Sequence, residues 1–194
     1  SAAGRIGNPH IVETFDAGEL PSGEPYMFMG LPSRHPVTEL GRQRGGLSVD
    51  EALEIVIQAA EGLAAAHAAG IVHRDIKPDN LFLCRGDAPF VKILDFGISK
   101  FAAEHAEHRL TTEGTPMGTP YYMSPEQVVG AEDVDARTDV YSLAVVLYEC
   151  VTGRVPFHAD SLPALSVKIF EGKYTPVRAI VPEASPSLDE VIGR

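Results

Sequence analysis

The chain has 194 residues, enough for one domain with a sizeable core and marginal for two. Hydrophobic residues make up 44% and charged residues 22%, which excludes a disordered or low-complexity chain, and 27 acidic against 16 basic residues leave a net charge of −11, which disfavours nucleic acid and anionic membrane surfaces as partners. Two cysteines, Cys84 and Cys150, with no CxxC spacing, exclude a disulfide scaffold and fit a reducing compartment.

The N-terminal run Ser1-Ala2-Ala3-Gly4-Arg5 has no apolar h-region, so it does not read as a signal peptide. Its first residue is Ser rather than Met, which raises the expectation of a piece of something longer. Residues 11–15 and 25–29 read as short strands separated by the turn-rich run from Gly18 to Gly23. Residues 32–46, with their prolines, glycines and basic residues, read as irregular.

Ser48-Val49-Asp50-Glu51 is a capping box, and Leu53, Ile57, Ala60, Ala64 and His67 follow at helical spacing. Together with Gly70 as a terminator they predict a helix over about 49–69 with an alanine-rich packing stripe. Leu81-Phe82-Leu83 and Val91-Lys92-Ile93-Leu94, joined by the turn cluster Arg85 to Pro89, predict a hairpin. Residues 99–120 read as an exposed loop. Asp139 to Thr152 is apolar nearly all round, the pattern of a buried helix, closed by Gly153 and Pro156. Its most apolar stretch, Leu143 to Val151, contains Glu149 and is too short to span a bilayer. Residues 161–171 and 186–194 predict two further helices.

The chemistry concentrates in His73-Arg74-Asp75-Ile76-Lys77-Pro78-Asp79-Asn80, a polar run between short apolar runs. Asp95-Phe96-Gly97 follows the next apolar run, and Gly97 lets the backbone turn directly after the acid. Asn80 and Asp95 supply hard oxygen ligands from two adjacent strand ends, which suits Mg²⁺. An aspartate with a lysine two residues on, Asp75 and Lys77, suits a hydroxyl nucleophile beside a transferring phosphate. His105 and His108 stand three apart, but with no Cys or third His nearby a solvated loop outweighs a metal site. Cys84 and Cys150 sit in apolar runs and read as inert core residues. Gly4-x-x-Gly7 is too sparse a signal for a phosphate loop.

With His73, Arg74, Asp75 and Asn80, then Asp95-Phe96-Gly97, then Ser124-Pro125-Glu126, the sequence resembles the eukaryotic-like protein kinases from about residue 6 onward. Lys77 resembles the Ser/Thr version of the catalytic loop, and Gly118 to Gln127 is similar to the bacterial Ser/Thr branch. The resemblance implies an α+β, protein-kinase-like fold: residues 1–30 as a remnant of the β-rich small lobe and the start of the hinge, and 31–194 as a mainly helical large lobe. It implies ATP and Mg²⁺ as cofactors and Ser/Thr-bearing proteins as substrates, with transfer of the γ-phosphoryl group.

The resemblance also assigns roles. Asp75 accepts or orients the substrate proton, Lys77 stabilises the transferring phosphoryl group, and Asn80 and Asp95 hold the metal. Thr119 bonds across to Asp75 and Lys77. Met29 stands as gatekeeper and Leu31 in the hinge beside the adenine, where Gly30 replaces the family's usual Glu. His73 and Phe96 stack, and Asp139 anchors the catalytic-loop backbone. Arg74 and Lys100 would read a phosphate on Thr115, or on Thr111, placed there in trans by a transient homodimer. Arg74 is expected to be partly buried and short of a partner until then. An Arg later in the family's sequence pairs with the residue matching Glu126.

The family's Gly-rich loop, strand Lys and helix Glu would fall before residue 1, since no G-x-G-x-x-G or V-A-I-K occurs in the chain. A fragment of an active kinase is therefore expected, inactive in isolation, cytoplasmic, without nucleic-acid or membrane contacts of its own, and with any membrane anchor outside it. Two alternatives compete with it: a truncated pseudokinase-like binding module, and a small-molecule phosphotransferase of the aminoglycoside-kinase kind. All three of Asp75, Asn80 and Asp95 are present, against the first, and the long Thr-rich segment closed by Ser-Pro-Glu argues against the second.

Overall fold

A computed structural model describes residues 6–22, 25–30, 35–84, 89–96, 120–131 and 134–193. Strands β1 (Thr14–Glu19) and β2 (Pro25–Met29) form one antiparallel pair. The expected first strand is thus displaced toward the C-terminus and runs through Gly18. The reason is cross-strand: Gly18 lies opposite Tyr26, whose ring fills the place a Cβ would take, at 2.9–3.0 Å. A glycine covered by an aromatic neighbour is tolerated in a strand. Ile11 and Val12 are instead buried beside the second hairpin. Ile11 bridges Ile93 in parallel, with Val12 N–H donating to Ile93 O at 2.9 Å and Ile93 N–H to His10 O at 2.8 Å.

Residues 32–46 do not remain irregular: helix α1 spans Val37–Arg44. Val37 is its one buried residue, so no apolar stripe betrays it, and its ends are set by Glu39 in the first turn, Arg42 and Arg44 in the last, and left-handed Gly45.

Helix α2 (Val49–Ala68) begins at the expected capping box, Ser48 with Glu51. It ends in a reciprocal pair, Gly70 N–H to His67 O and Ile71 N–H to Ala66 O, around Gly70 at φ 74°. Its buried face is Ala52, Ile55, Ala59, Gly62, Leu63 and Ala66. The stripe is therefore rotated about one residue from the expected one; Ile57 is 56% exposed, and Ala60 and Ala64 face solvent. Small residues, not large ones, mark the contact. A Cβ on Gly62 would stand 3.2 Å from His10 Cβ and 2.9 Å from Ile93 Cδ1.

The hairpin appears as expected, β3 (Leu81–Cys84) antiparallel to β4 (Phe90–Ile93), with Leu81 opposite Ile93. After it come short helix α3 (Pro125–Val128) and α4 (Ala136–Thr152). Helix α4 is not buried all round. Val140 is 61% exposed, while Thr138, Asp139 and Ser142 are the buried polar residues of its first turns. Leu143, Val146, Leu147 and Cys150 pack with Ile55, Ala59 and Leu63 of α2 and with Val91 and Ile93 in one core. At ~1.5–3 kcal/mol for each large side chain buried, this layer supplies much of the driving force that holds the hairpin on the helices. Helix α4 stops at Gly153, φ 72°, where a Cβ would run into the backbone oxygen of Gly45, while Leu47 N–H bonds Cys150 O at 2.7 Å.

Helices α5 (Leu162–Glu171) and α6 (Pro186–Ile192), each capped by a serine, complete the described elements. No helix among them is long and apolar enough to cross a membrane. Cys150 is buried, and burial pushes its thiol up to about 12, an inert core position. Cys84, at the end of β3, is only half-buried, which departs from the core position expected for it.

Candidate active site

The close of α2 aims the chain into residues 73–80. Asp139, with 0% exposure at the start of α4, receives this loop: its Oδ2 accepts His73 N–H and its Oδ1 accepts Arg74 N–H, both at 2.8 Å. His67 Nε2 also contacts Oδ2 at 2.7 Å. The carboxylate thereby holds Arg74 at φ 69°, a left-handed conformation that costs ~1–3 kcal/mol in a non-glycine residue, directly before Asp75.

His73 is fixed in one neutral form. Its Nδ1 accepts Asp75 N–H at 3.2 Å and its Nε2 donates to Leu94 O at 2.7 Å. Phe96 meets the ring with centroids 4.7 Å apart but edge-to-face, at 74° between the planes, so the expected pairing forms without the expected stacking. Burial lowers the His73 pKa below its ordinary 6.5, outweighing the Leu94 carbonyl and the carboxylates nearby. A histidine kept neutral in the fold adds no instability above its unfolded pKa. As pH falls below ~6.5 the unfolded chain takes up a proton that the folded one refuses, and stability is lost. The melting temperature is therefore expected to fall between pH 7 and 5 more steeply in the wild type than in His73→Phe. Equal slopes would refute the assignment of a neutral His73.

Asp75 is exposed, and its Oδ2 is engaged twice: by Lys77 Nζ at 2.6 Å and by Asn80 Nδ2 at 3.1 Å. Among the described residues Oδ1 is left open. Asn80 Nδ2 also donates to Asp75 O at 2.7 Å, so both contacts use the amide nitrogen and Asn80 Oδ1 is the free acceptor. Asn80 closes the one-turn helix Pro78–Asn80, and its carbonyl accepts Leu94 N–H at 2.9 Å, which brings it beside the residue before Asp95. Asp95 adopts φ 64°, the second left-handed non-glycine. Burial raises its carboxyl above the ordinary value, with Asp75 adding to the rise and His73 and Lys77 opposing it. No hydrogen-bond donor among the described residues is bonded to this carboxylate. A half-buried acid with no bonded donor among the described residues, on a run hydrogen-bonded to the backbone of Asn80, forms with the free Asn80 amide oxygen a donor set that suits a hard divalent ion.

No cluster of three His, Cys, Asp or Glu that could hold a metal exists among the described residues. An Asn/Asp pair is instead the two-ligand type that leaves the remaining positions to phosphate oxygens and water.

Arg74 is exposed rather than partly buried; among the described residues its guanidinium makes a single contact, 3.4 Å to Val134 O. Met29 closes β2 and is linked to the site through backbone, Gly30 N–H to Glu13 O and Val12 N–H to Ile93 O. Leu31, Gly97, Lys100, His105, His108, Thr111, Thr115 and Thr119 lie outside the described residues.

Three connections escaped sequence reasoning. Gln127 caps Ser124 with its amide oxygen and donates its Nε2 to Arg74 O at 2.7 Å, so one side chain ties the segment after residue 120 to the catalytic loop. The Ser-x-x-Gln spacing is a capping-box signal that could have singled it out. Thr138 donates to Glu126 at 2.6 Å, and Ser124 Oγ lies 3.0 Å from Thr138 Oγ1. Burial pushes Glu126 up, but the bonds from Thr138, backbone and Ser124 outweigh it and leave its carboxyl below the ordinary value. Tyr122 donates to Glu149 at 2.6 Å across to α4.

A model of the family described as "Protein kinase domain" matches residues 2–191. The chain is 41% identical, over its whole length and 27% of the relative's, to the serine/threonine-protein kinase Pkn1 of Myxococcus xanthus. It is 38% identical to PknD of Mycobacterium tuberculosis and to PknH of Mycobacterium bovis, both serine/threonine-protein kinases, over 99% of the chain and 28% and 31% of theirs. The chain thus spans less than a third of the length of these relatives. Family match, relatives and the geometry of residues 73–96 agree: the chain belongs to the protein kinase domain family.

Proposed function

We propose that this chain carries the catalytic lobe of a bacterial-type Ser/Thr protein kinase, which transfers the γ-phosphoryl group of ATP to serine and threonine hydroxyls of proteins. Residues 1–30 act as part of the small lobe and hinge, and 31–194 as the large lobe. The observation that carries the reading is the state of Asp75: one carboxylate oxygen is held by Lys77 and Asn80, the other is open among the described residues, and the bond from Leu94 N–H to Asn80 O brings the Asp95 run beside Asn80.

Asp75 Oδ1 accepts the hydrogen bond of the substrate hydroxyl, orients its oxygen for attack and takes its proton as that oxygen bonds to phosphorus. The new bond forms between that oxygen and the γ-phosphorus, the bond from the γ-phosphorus to the β–γ bridging oxygen breaks, and ADP leaves. Lys77, fixed on Asp75, presents its remaining N–H groups to the phosphoryl oxygens as negative charge moves among them. Asn80 Oδ1 and the Asp95 carboxylate would hold Mg²⁺, which when bound neutralises charge on the triphosphate. Met29 and Leu31 would border the adenine. Positioning supplies most of the catalysis in this reaction class, and the anchored, strained loop around Arg74 and Asp75 is a positioning device.

The binding-module alternative loses its ground where Asp75, Asn80 and Asp95 are all present and converge. The test is incubation of the full-length protein with radiolabelled ATP and a generic protein acceptor. Label is expected on serine or threonine and is expected to drop about a hundredfold or more in Asp75→Asn. Labelling unchanged in that variant would overturn the reading, and label found only on a small-molecule acceptor would move it to another phosphotransferase class. Mapping the phosphates on the protein itself reads whether Thr115, or Thr111, is modified in trans within a transient dimer, where Arg74, which is exposed, and Lys100 would meet the phosphate.

A further inference from the structure

A cleft of about 470 Å³ lies away from residues 73–96, between the end of α4, the 154–158 turn and the C-terminal end of α5. Arg154, Lys168 and Lys173 line it against a single carboxylate, Glu171, and His158 stands at its rim. In a chain of net charge −11 this local excess of cations is against the overall trend. Among the described residues none of the three cations has a close carboxylate partner. Among the described residues Lys168 Nζ bonds the His158 carbonyl, at 2.6 Å, and Lys173 reaches Glu171 at 3.9 Å, with both lysine side chains largely in solvent. Arg154, itself exposed, bonds the Tyr148 hydroxyl, which donates to Thr175 O at 2.8 Å.

The cleft adjoins the acceptor side of the catalytic loop through a short chain of contacts. His158 stacks on Tyr121 with centroids 5.3 Å apart. Tyr121 lies in the one-turn helix Pro120–Tyr122, which leads through Ser124 to Gln127 and so to Arg74 O. This wall of the cleft is thus joined by packed and hydrogen-bonded side chains to the residue directly before Asp75.

We propose that the cleft lined by Arg154, Lys168 and Lys173 docks an acidic stretch of the protein substrate, some residues away from the phosphoacceptor. The ligand chemistry is the anionic side chain, carboxylate or phosphate monoester, met by point charges from the two lysines and by the planar donors of Arg154. Exposed pairs of this kind are individually weak and sensitive to salt. They act together as a second contact that raises the local concentration of the acceptor at Asp75. The proposal rests on the kinase reading for its purpose, though not for its binding.

The test uses the full-length protein and three fluorescein-labelled peptides that share a serine and differ in one flank: four glutamates, four glutamines, or two phosphoserines. Anisotropy is expected to show the glutamate or the phosphoserine peptide binding more tightly than the glutamine peptide, and the stronger of the two names the anion. Lys168→Glu/Lys173→Glu, both at exposed positions, is expected to weaken that binding about tenfold, and 0.5 M salt to abolish the preference. In phosphoryl transfer the variant is expected to raise KM for the anionic peptide, leaving its kcat and the kcat/KM of the glutamine peptide unchanged. Equal binding of all three peptides, or binding unaffected by the double reversal with its melting temperature retained, would overturn the proposal. Selective binding without any phosphoryl transfer would uphold the cleft and count against the kinase reading.

Discussion

Asp95→Asn is expected to lower phosphoryl transfer by about a thousandfold or more in the full-length protein while leaving the melting temperature equal to the wild type or above it. The two halves of this expectation come from one observation. The Asp95 carboxylate is half-buried, its pKa is raised by that burial, and no donor among the described residues satisfies it. As a structural element it is a cost; as the proposed ligand of a divalent ion it is a carboxylate that no donor among the described residues already holds. An amide of the same shape removes the buried charge, and asparagine tolerates φ near 64° as well as aspartate does. The fold therefore has nothing to lose, whereas the ion loses a full negative charge at its first coordination sphere. A melting curve beside a labelling assay separates the two. A variant that melts lower and labels normally would mean that Asp95 is a structural acid, and both the metal assignment and the function built on it would fall.

What the sequence carried most clearly was chemistry confined to short runs. His73 to Asn80 and Asp95 to Gly97 are contiguous, and their residue types are hard to account for by packing alone. The structure places the two runs together by backbone, Leu94 N–H on Asn80 O, and by the His73 ring bridging to Leu94 O. Helix α2 was legible at both ends because its capping box and terminal glycine are local signals. Its buried face was not. With alanines on several sides, hydrophobic spacing fits more than one rotation, and the choice between Ala60 and Ala59 is made by what α4 and β4 bring against the helix. β1 was misplaced for a similar reason: Gly18 reads as a turn until Tyr26, on the other strand, covers it. The bonds from Gln127 to Arg74 and from Asp139 to residues 73 and 74 join positions more than fifty residues apart. No local pattern encodes such a pairing; only the Asp139 anchor was anticipated, and that through family resemblance.

That anchor is where fold and activity are most tightly coupled. Asp139→Ala is expected to destabilise the protein by ~3 kcal/mol or more, a large part of the ~5–15 kcal/mol available to a domain. Three donors converge on this fully buried carboxylate: His73 N–H, Arg74 N–H and His67. Removing it leaves two backbone N–H groups and a ring nitrogen facing an apolar gap, each at ~1–3 kcal/mol. The loss is also directional. Arg74 is left-handed because its N–H is held, and without that hold the residue relaxes toward an ordinary φ, which swings Asp75 away from Lys77 and Asn80. Asp139→Asn keeps the volume and one acceptor oxygen but turns an NH₂ group toward a donor. It is expected to melt between wild type and Asp139→Ala, and to lower kcat with little change in KM for ATP, because the Asn80/Asp95 pair is untouched. A purely structural aspartate would give a different result: in Asp139→Asn, activity measured well below the melting temperature would equal that of the wild type. Retention of both stability and kcat in Asp139→Ala would refute the anchor itself, and with it the account of why Arg74 stays left-handed directly before Asp75.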